Sequence, residues 1–245
     1  MPAHAANETF PDTTLSLVGR LCSTDAAQRN EALRLVATRY WMPLYDYARR
    51  TGLDEHAAAD AVQDFFHHIF THQDRFASYD HEKGRLRTWI ITIYRHRAAT
   101  EAQRGRALRR GGAAEHLPLD WALAESCYLQ YADQDISAPE RAYDRAFARQ
   151  LWQQVLDSLR LTYTLRQKDF VFDTLHPLIL GEVKSLPLIP DVQTQSTVLQ
   201  DTNKLKTALH RLRKEAAHEF QRLVRLTVEG NEWQQEVRYL LGLVG

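Results

Sequence analysis

The sequence predicts an all-α protein built as two helical domains joined by a linker. Apolar residues recur at helical spacing along most of the chain. Runs that alternate apolar and polar residues between Asn-Gly or Asp-Gly turns are missing, so strands have no signal. The third observation is charge placement. Lys+Arg and Asp+Glu both number 31, for a formal net charge of +0, yet the basic residues gather on two helices and the acids crowd between them. The chain of 245 residues with 44% hydrophobic and 25% charged residues suits one large or two small soluble domains.

The elements follow in order. Residues 1–26 read as a lead-in, the first stretch of it flexible, with neither a basic nor an apolar segment of a secretory signal. Domain one spans 27–110. Its first helix runs from Ala27 to Arg50, with Leu33, Val36, Tyr40, Trp41, Leu44 and Tyr47 on one stripe. Pro43 is expected to kink or break it, and Thr51-Gly52 to end it. Asp54 caps a helix to about His72. There Ala58, Ala61, Val62, Phe65, Phe66 and Ile69 face a core, while Asp60, Gln63, Asp64 and His67 face outward. Residues 74–84 form a loop. Then comes GRLRTWIITIYRHRAATEAQRGRALRRGG, a helix running into a basic tail in which Arg85, Arg87, Arg95, Arg97, Arg104, Arg106, Arg109 and Arg110 meet only Glu101.

Residues 111–136 lose periodicity and read as an acidic, aromatic-bearing linker. The second domain spans 137–228, opening on Ser137-Ala-Pro-Glu140 with capping-box spacing. A helix to about Leu161 and another over 166–180 are followed by a polar stretch with two prolines. Asp201-Thr202 then opens a long helix with Leu205, Leu209, Leu212, Ala216, Phe220 and Leu223 on one side. Lys204, Lys206, His210, Arg211, Arg213 and Lys214 occupy the other. Residues 229–245 form a helical tail.

Motifs for catalysis are weak. His68 and His72 lie at i,i+4 with Asp64 one turn earlier, a spacing that holds a metal when further ligands join. No HExxH glutamate accompanies them. Asp60 and Asp64 form one carboxylate pair without an aspartate-rich partner. A phosphate-cradling glycine loop, a GxSxG elbow and a CxxC are absent. The reading is therefore not an enzyme, with no catalytic residue, metal or cofactor. Cys22 and Cys127 cannot make a disulfide framework, which suits a reducing cytoplasm. No apolar run approaches the ~20 residues that span a bilayer, so membrane insertion is not expected. Two basic helices separated by acids suit a two-point grip on nucleic acid. On the second, Asn203, Lys204, Thr207, His210 and Arg211 make a reading face for the major groove.

These residues bring a family into view. YWMPLYDYARRTG (40–52), DEHAAADAVQDFFHHIF (54–70) with its D-x-x-Q-[DE]-x-F pattern, and the arginine-rich helix resemble, in that order, region 2 of a bacterial RNA polymerase sigma factor. The type is the compact extracytoplasmic-function (ECF) one, in the large-chain group common in planctomycetes. SAPERAYDRAFARQLWQQVL and TALHRLRKEAAHEFQRLVRLTV resemble the entry and recognition helix of its region 4, a helix-turn-helix. The resemblance implies two domains, a region 2-like bundle and a region 4-like unit. It implies core RNA polymerase and promoter DNA as partners, with an anti-sigma factor as a further candidate. Asp60, Gln63, Asp64, Phe66 and His67 would dock on polymerase. Phe76, Tyr79, Arg85, Arg87, Tyr94, Arg95, Arg97 and Arg104 would hold the downstream promoter element and its melted strand. Asn203, Lys204, Lys206, Thr207, His210, Arg211 and Arg213 would read the upstream element. One departure is the turn before that last helix, where Leu199-Gln200 replaces the family's glycine. Two alternatives stay open: a stand-alone helical DNA-binding regulator, and a sigma-like protein with degenerate upstream reading. A helical metalloenzyme using Asp60, Asp64, His68 and His72 is a weaker rival.

Overall fold

A computed structural model describes residues 14–104, 119–131, 138–180, 202–228 and 232–244. Among them every regular element is helical, as the periodicity predicts. In chain order these are α1 (Thr14–Leu21), α2 (Ala26–Arg50), α3 (Glu55–Thr71), a 3-10 turn (Gln73–Ser78), α4 (Leu86–Arg104), α5 (Trp121–Tyr131), α6 (Pro139–Leu165), α7 (Asp169–Leu175), a second 3-10 turn (His176–Leu178), α8 (Thr202–Arg225) and α9 (Trp233–Val244). The chain divides into two compact units. One is Met1–Phe147 with Arg225–Glu232, the other Ala148–Val224 with Trp233–Gly245.

In the first unit α2 is the central element, packed against α1, α3, α4 and α5. The Asp25 carboxylate accepts from the Ala27 and Gln28 N–H groups, satisfying donors the first turn leaves open. Of the kink or break expected at Pro43, the break does not occur: the helix is continuous through it. Trp41, Pro43, Leu44 and Tyr45 are all buried there, and packing on both sides holds the turn whose hydrogen bond the proline forgoes. Gly52 closes the helix at φ 95°, a left-handed position that favours glycine. Asp54 then caps α3 through the Ala57 N–H at 2.8 Å.

Two expectations need correction. The lead-in contains a packed helix: Leu17 and Leu21 of α1 are fully buried and α1 lies on α2. The linker contains one as well. Trp121 of α5 sits edge-on to Trp41, ring centroids 5.5 Å apart, and against Tyr45. Glu125 accepts from Arg49 Nε at 2.9 Å and Arg49 Nη2 at 2.8 Å, and from the Tyr45 hydroxyl at 2.5 Å. Arg49 also lies over the Tyr128 ring, and Arg50 donates to the Tyr131 carbonyl. An acidic residue in an irregular stretch reads as solvated, and only the fold brings Arg49 to meet it.

Burial alone would raise the Glu125 carboxyl, but the hydrogen bonds from Arg49 and Tyr45 and the Arg49 charge outweigh it and hold it below its ordinary 4.5. A depressed carboxyl contributes stability above its unfolded pKa and loses it as pH falls through the folded one. Glu125→Gln is expected to cost about 2 kcal/mol at neutral pH, below a fully buried pair because solvent still reaches both partners. It should also flatten the loss of stability below pH 4.5. Urea unfolding at several pH values measures both effects.

The first turns of α6 complete this unit rather than opening the second. Pro139 begins the helix, where a missing N–H costs nothing; Ser137 lies outside the described residues. Phe147 stacks on Tyr40 with centroids 5.6 Å apart.

The second unit is organised by α6, α7, α8 and α9. Val155, Leu159, Tyr163, Phe172, Leu205, Leu209, Leu212, Ala216, Phe220 and Leu240 are among its buried residues. Trp152 packs on Phe220 and Tyr163 on Phe172. The helix expected over 166–180 is shorter: α6 continues to Leu165, and Gln167 at φ 56° turns the chain into α7. The turn at Leu199-Gln200 and the polar stretch before it lie outside the described residues, as do Arg106, Arg109 and Arg110.

Candidate nucleic-acid and polymerase interfaces

Three surfaces carry the candidate residues. On α3 the apolar positions recur with helical period, and Ala58, Val62, Phe65, Phe66 and Ile69 are buried. Asp60, Asp64 and His67 are exposed, making an acid–acid–imidazole face. The other two residues expected on that face are not available. Phe66 is 0% exposed and packs edge-on against Phe65. Gln63 is 7% exposed and is not without a partner. Position 63 lies one step from the apolar stripe, so sequence alone could not settle its side.

The second surface belongs to α4 and the turn before it. Leu86, Ile90, Ile91 and Tyr94 are buried. Tyr94 contacts Tyr47 and Phe65 edge-on, which makes it core rather than a strand-separating residue. Phe76 is 0% exposed and packs under Trp89, centroids 5.4 Å apart. Arg87 is 3% exposed. Its Nε lies 3.1 Å from Asp144, its guanidinium covers the Phe147 ring, and its carbonyl accepts from the Tyr143 hydroxyl. These three expected DNA contacts are therefore structural. An arginine one residue after a buried leucine faces inward once another helix supplies a carboxylate.

Arg85, Trp89, Ile93 and Arg97 remain half-exposed at i,i+4 spacing, one line along the helix. Tyr79 stands edge-on to Trp89 at 5.9 Å and donates its hydroxyl to the Gly84 carbonyl. Within that loop Asp80 accepts from the Glu82 N–H and pairs with Lys83. The Lys83 hydrogen bond, followed by that N–H, keeps its carboxyl below the ordinary range. Arg95 is exposed and paired with Glu140 at 3.2 Å. Arg104 ends α4, and its side chain lies outside the described residues. Trp89 is the residue the expected set lacked. The i,i+4 line from Arg85 to Arg97 was its signal, and that line gives an aromatic surface between two arginines, suited to stacking a base beside phosphates.

The third surface is α8. Leu205, Leu209, Leu212, Ala216 and Phe220 are buried. Asn203, Lys204, Lys206, Thr207, His210 and Arg211 are exposed, as expected. Lys214 and His218 extend the same face. Arg213 does not belong to it: its Nη2 donates to the Leu178 carbonyl at 2.8 Å and closes the end of the second 3-10 turn.

Among the described residues no group of three or more His, Cys, Asp or Glu is placed to hold a metal ion. No described helix is long and apolar enough to cross a membrane.

With this geometry in hand, comparison with known families shows that residues 36–108 match Sigma-70 region 2. The matched stretch runs from within α2 through α3 and α4. No curated protein and no solved structure matches the chain.

Proposed function

From the Sigma-70 region 2 match, we propose that the chain is a promoter-recognition subunit of RNA polymerase. It binds the core enzyme, directs it to particular promoters and helps open the duplex. It belongs to the ECF type and works in the cytoplasm without catalytic chemistry of its own. The observation that carries this reading is the coincidence of the match with two exposed surfaces: the Asp60–Asp64–His67 face of α3 and the Arg85–Trp89–Arg97 line of α4.

The α3 face is the polymerase dock. The α4 line, with Tyr79, holds the opened strand: aromatic stacking is worth about 1–3 kcal/mol per base, and the arginines neutralise phosphates. The second unit is region 4-like. Asn203 and Arg211 suit base edges, and Lys204 and Lys206 suit phosphates. An anti-sigma factor would compete for these surfaces.

Titration of the labelled protein with bacterial core polymerase tests the reading. Submicromolar binding is expected, weakened about tenfold or more by Asp64→Ala, as for loss of a contact worth roughly 1.4 kcal/mol. Absence of binding to a cognate core would leave a stand-alone DNA-binding regulator.

A further inference from the structure

The face of α2 that α5 covers is organised by contacts within its own part of the chain. Arg49 Nη1 donates to the Leu53 carbonyl at 2.7 Å, just past the end of its own helix. That bond fixes the guanidinium and leaves its Nε–Nη2 edge for the Glu125 carboxylate, at 2.9 and 2.8 Å. Arg50 Nε donates to Asp46 at 3.2 Å, which leaves Nη2 for the Tyr131 carbonyl at 2.9 Å. Tyr45, one turn before Arg49, adds its hydroxyl to the same carboxylate. Trp41, one turn earlier again, supplies the ring against which Trp121 stands. Trp41, Tyr45 and Arg49 recur at i,i+4, so they form one strip. A guanidinium held in place takes a carboxylate in a two-pronged geometry that a lysine could not reproduce.

α5 fills this strip as a ligand does. Glu125 is the one charged residue in its sequence, and it lies on the strip. Both arginines lie over the Tyr128 ring. Among the described residues of this helix, eleven in all, Ala124 alone is buried. Leu123 and Leu129 stay 48% and 59% exposed. Trp121, Glu125 and Tyr128 therefore carry the attachment, with little aliphatic packing behind them. A helix this short is marginal in water by itself, so α5 off the strip loses its helix. The stretch that matches Sigma-70 region 2 contains Trp41, Tyr45, Arg49 and Arg50 and stops before α5.

We propose that the Trp41–Tyr45–Arg49–Arg50 strip of α2 is a docking site for a helix of a partner protein, one that carries a glutamate between aromatic residues, and that α5 is the internal occupant such a helix displaces. The partner's chemistry follows from charge complementarity. Two arginines meet the single Asp46 carboxylate on α2, and the charge left over is met by Glu125. The spacing is the one α5 displays in Trp121, Glu125 and Tyr128. The inference goes beyond the promoter-recognition reading and does not depend on it. Tethering holds α5 beside the strip at an effective concentration of about millimolar. A partner helix therefore meets a site already filled, and its apparent affinity falls by the fraction of chains that are open.

The test uses the full chain and, as probe, a fluorescein-labelled peptide of residues 119–131 carrying Cys127→Ser. Fluorescence anisotropy reads its binding to the wild type and to a chain opened by Trp121→Ala with Glu125→Ala. The opened chain should bind the peptide about tenfold or more tightly than the wild type, because its own α5 no longer competes. Glu125→Gln in the peptide should weaken that binding about tenfold, and Arg49→Ala in the opened chain should remove it. An opened chain that keeps its helix content by circular dichroism yet binds the peptide no better than the wild type would overturn the proposal. A random single-stranded oligonucleotide that binds the opened chain more tightly than the peptide, with the same loss on Arg49→Ala, would overturn the helical partner and give the strip to nucleic acid. If the opened chain does not fold, hydrogen exchange of the wild type decides. Protection of the α5 amides about a hundredfold below that of the α2 amides supports a cover that opens alone. Equal protection makes α5 part of one cooperative core and overturns the proposal.

Discussion

Phe66→Ala is expected to destabilise the first unit by about 3–5 kcal/mol, the cost of truncating a fully enclosed aromatic ring. Phe66 is 0% exposed and lies on Phe65 and Phe70. Asp64→Ala, two residues away and exposed, should leave stability within about 0.5 kcal/mol while loosening core polymerase. Urea unfolding followed by far-ultraviolet circular dichroism, with hydrogen exchange of the α3 amides, measures the first effect. The pair matters because both residues belong to the D-x-x-Q-[DE]-x-F pattern. One holds the helix on its core, and the other faces outward from it. A Phe66→Ala protein that unfolds like the wild type but no longer binds polymerase would show that this division is wrong.

Arg87→Ala should lower the stability of the same unit by about 3 kcal/mol, in the range for breaking a buried charge pair. The guanidinium is almost enclosed, faces Asp144 at 3.1 Å and lies over Phe147. Asp144→Ala should cost about as much, because it leaves the charge buried with less compensation. The double change Arg87→Met with Asp144→Leu should recover most of the loss, since well-packed apolar residues replace such pairs at little cost. Thermal unfolding of the wild type and these three variants makes the comparison. If Arg87→Ala keeps full stability and instead loses DNA binding, the residue belongs to the promoter surface after all. Arg85, half-exposed just before the same helix, serves as the contrast: Arg85→Ala should weaken DNA binding with little change in stability.

The α4 sequence shows why the candidate site was only half legible. Part of it could be sorted by period, because burial of Leu86, Ile90 and Tyr94 follows the helical repeat. Tyr94 nevertheless looks like a reading residue when the partner surfaces of Tyr47 and Phe65 are unknown. Arg87 looks like a phosphate contact until Asp144, distant in sequence, comes to stand beside it. On α8 the separation was cleaner. Its apolar and basic sides lie opposite each other, so Asn203, Thr207, His210 and Arg211 were correctly expected to be exposed. Only Arg213, at the border of the two sides, was drawn away to the Leu178 carbonyl.

The sequence by itself determined the all-α class, the approximate limits of α2 and α3, the Thr51-Gly52 end of the first and the Asp54 cap of the second, and the polar side of α8. These are local properties: a 3.6-residue repeat, a carboxylate over open N–H groups, a glycine at positive φ. Tertiary structure alone decided that α1 and α5 are packed helices, that α2 continues through Pro43, and that Phe76, Arg87 and Tyr94 are interior. Each depends on a partner far away in the chain, such as Glu125 for Arg49, Asp144 for Arg87 or Trp89 for Phe76. The free energy of a buried polar or aromatic group is set by what meets it, and periodicity records only which way it points.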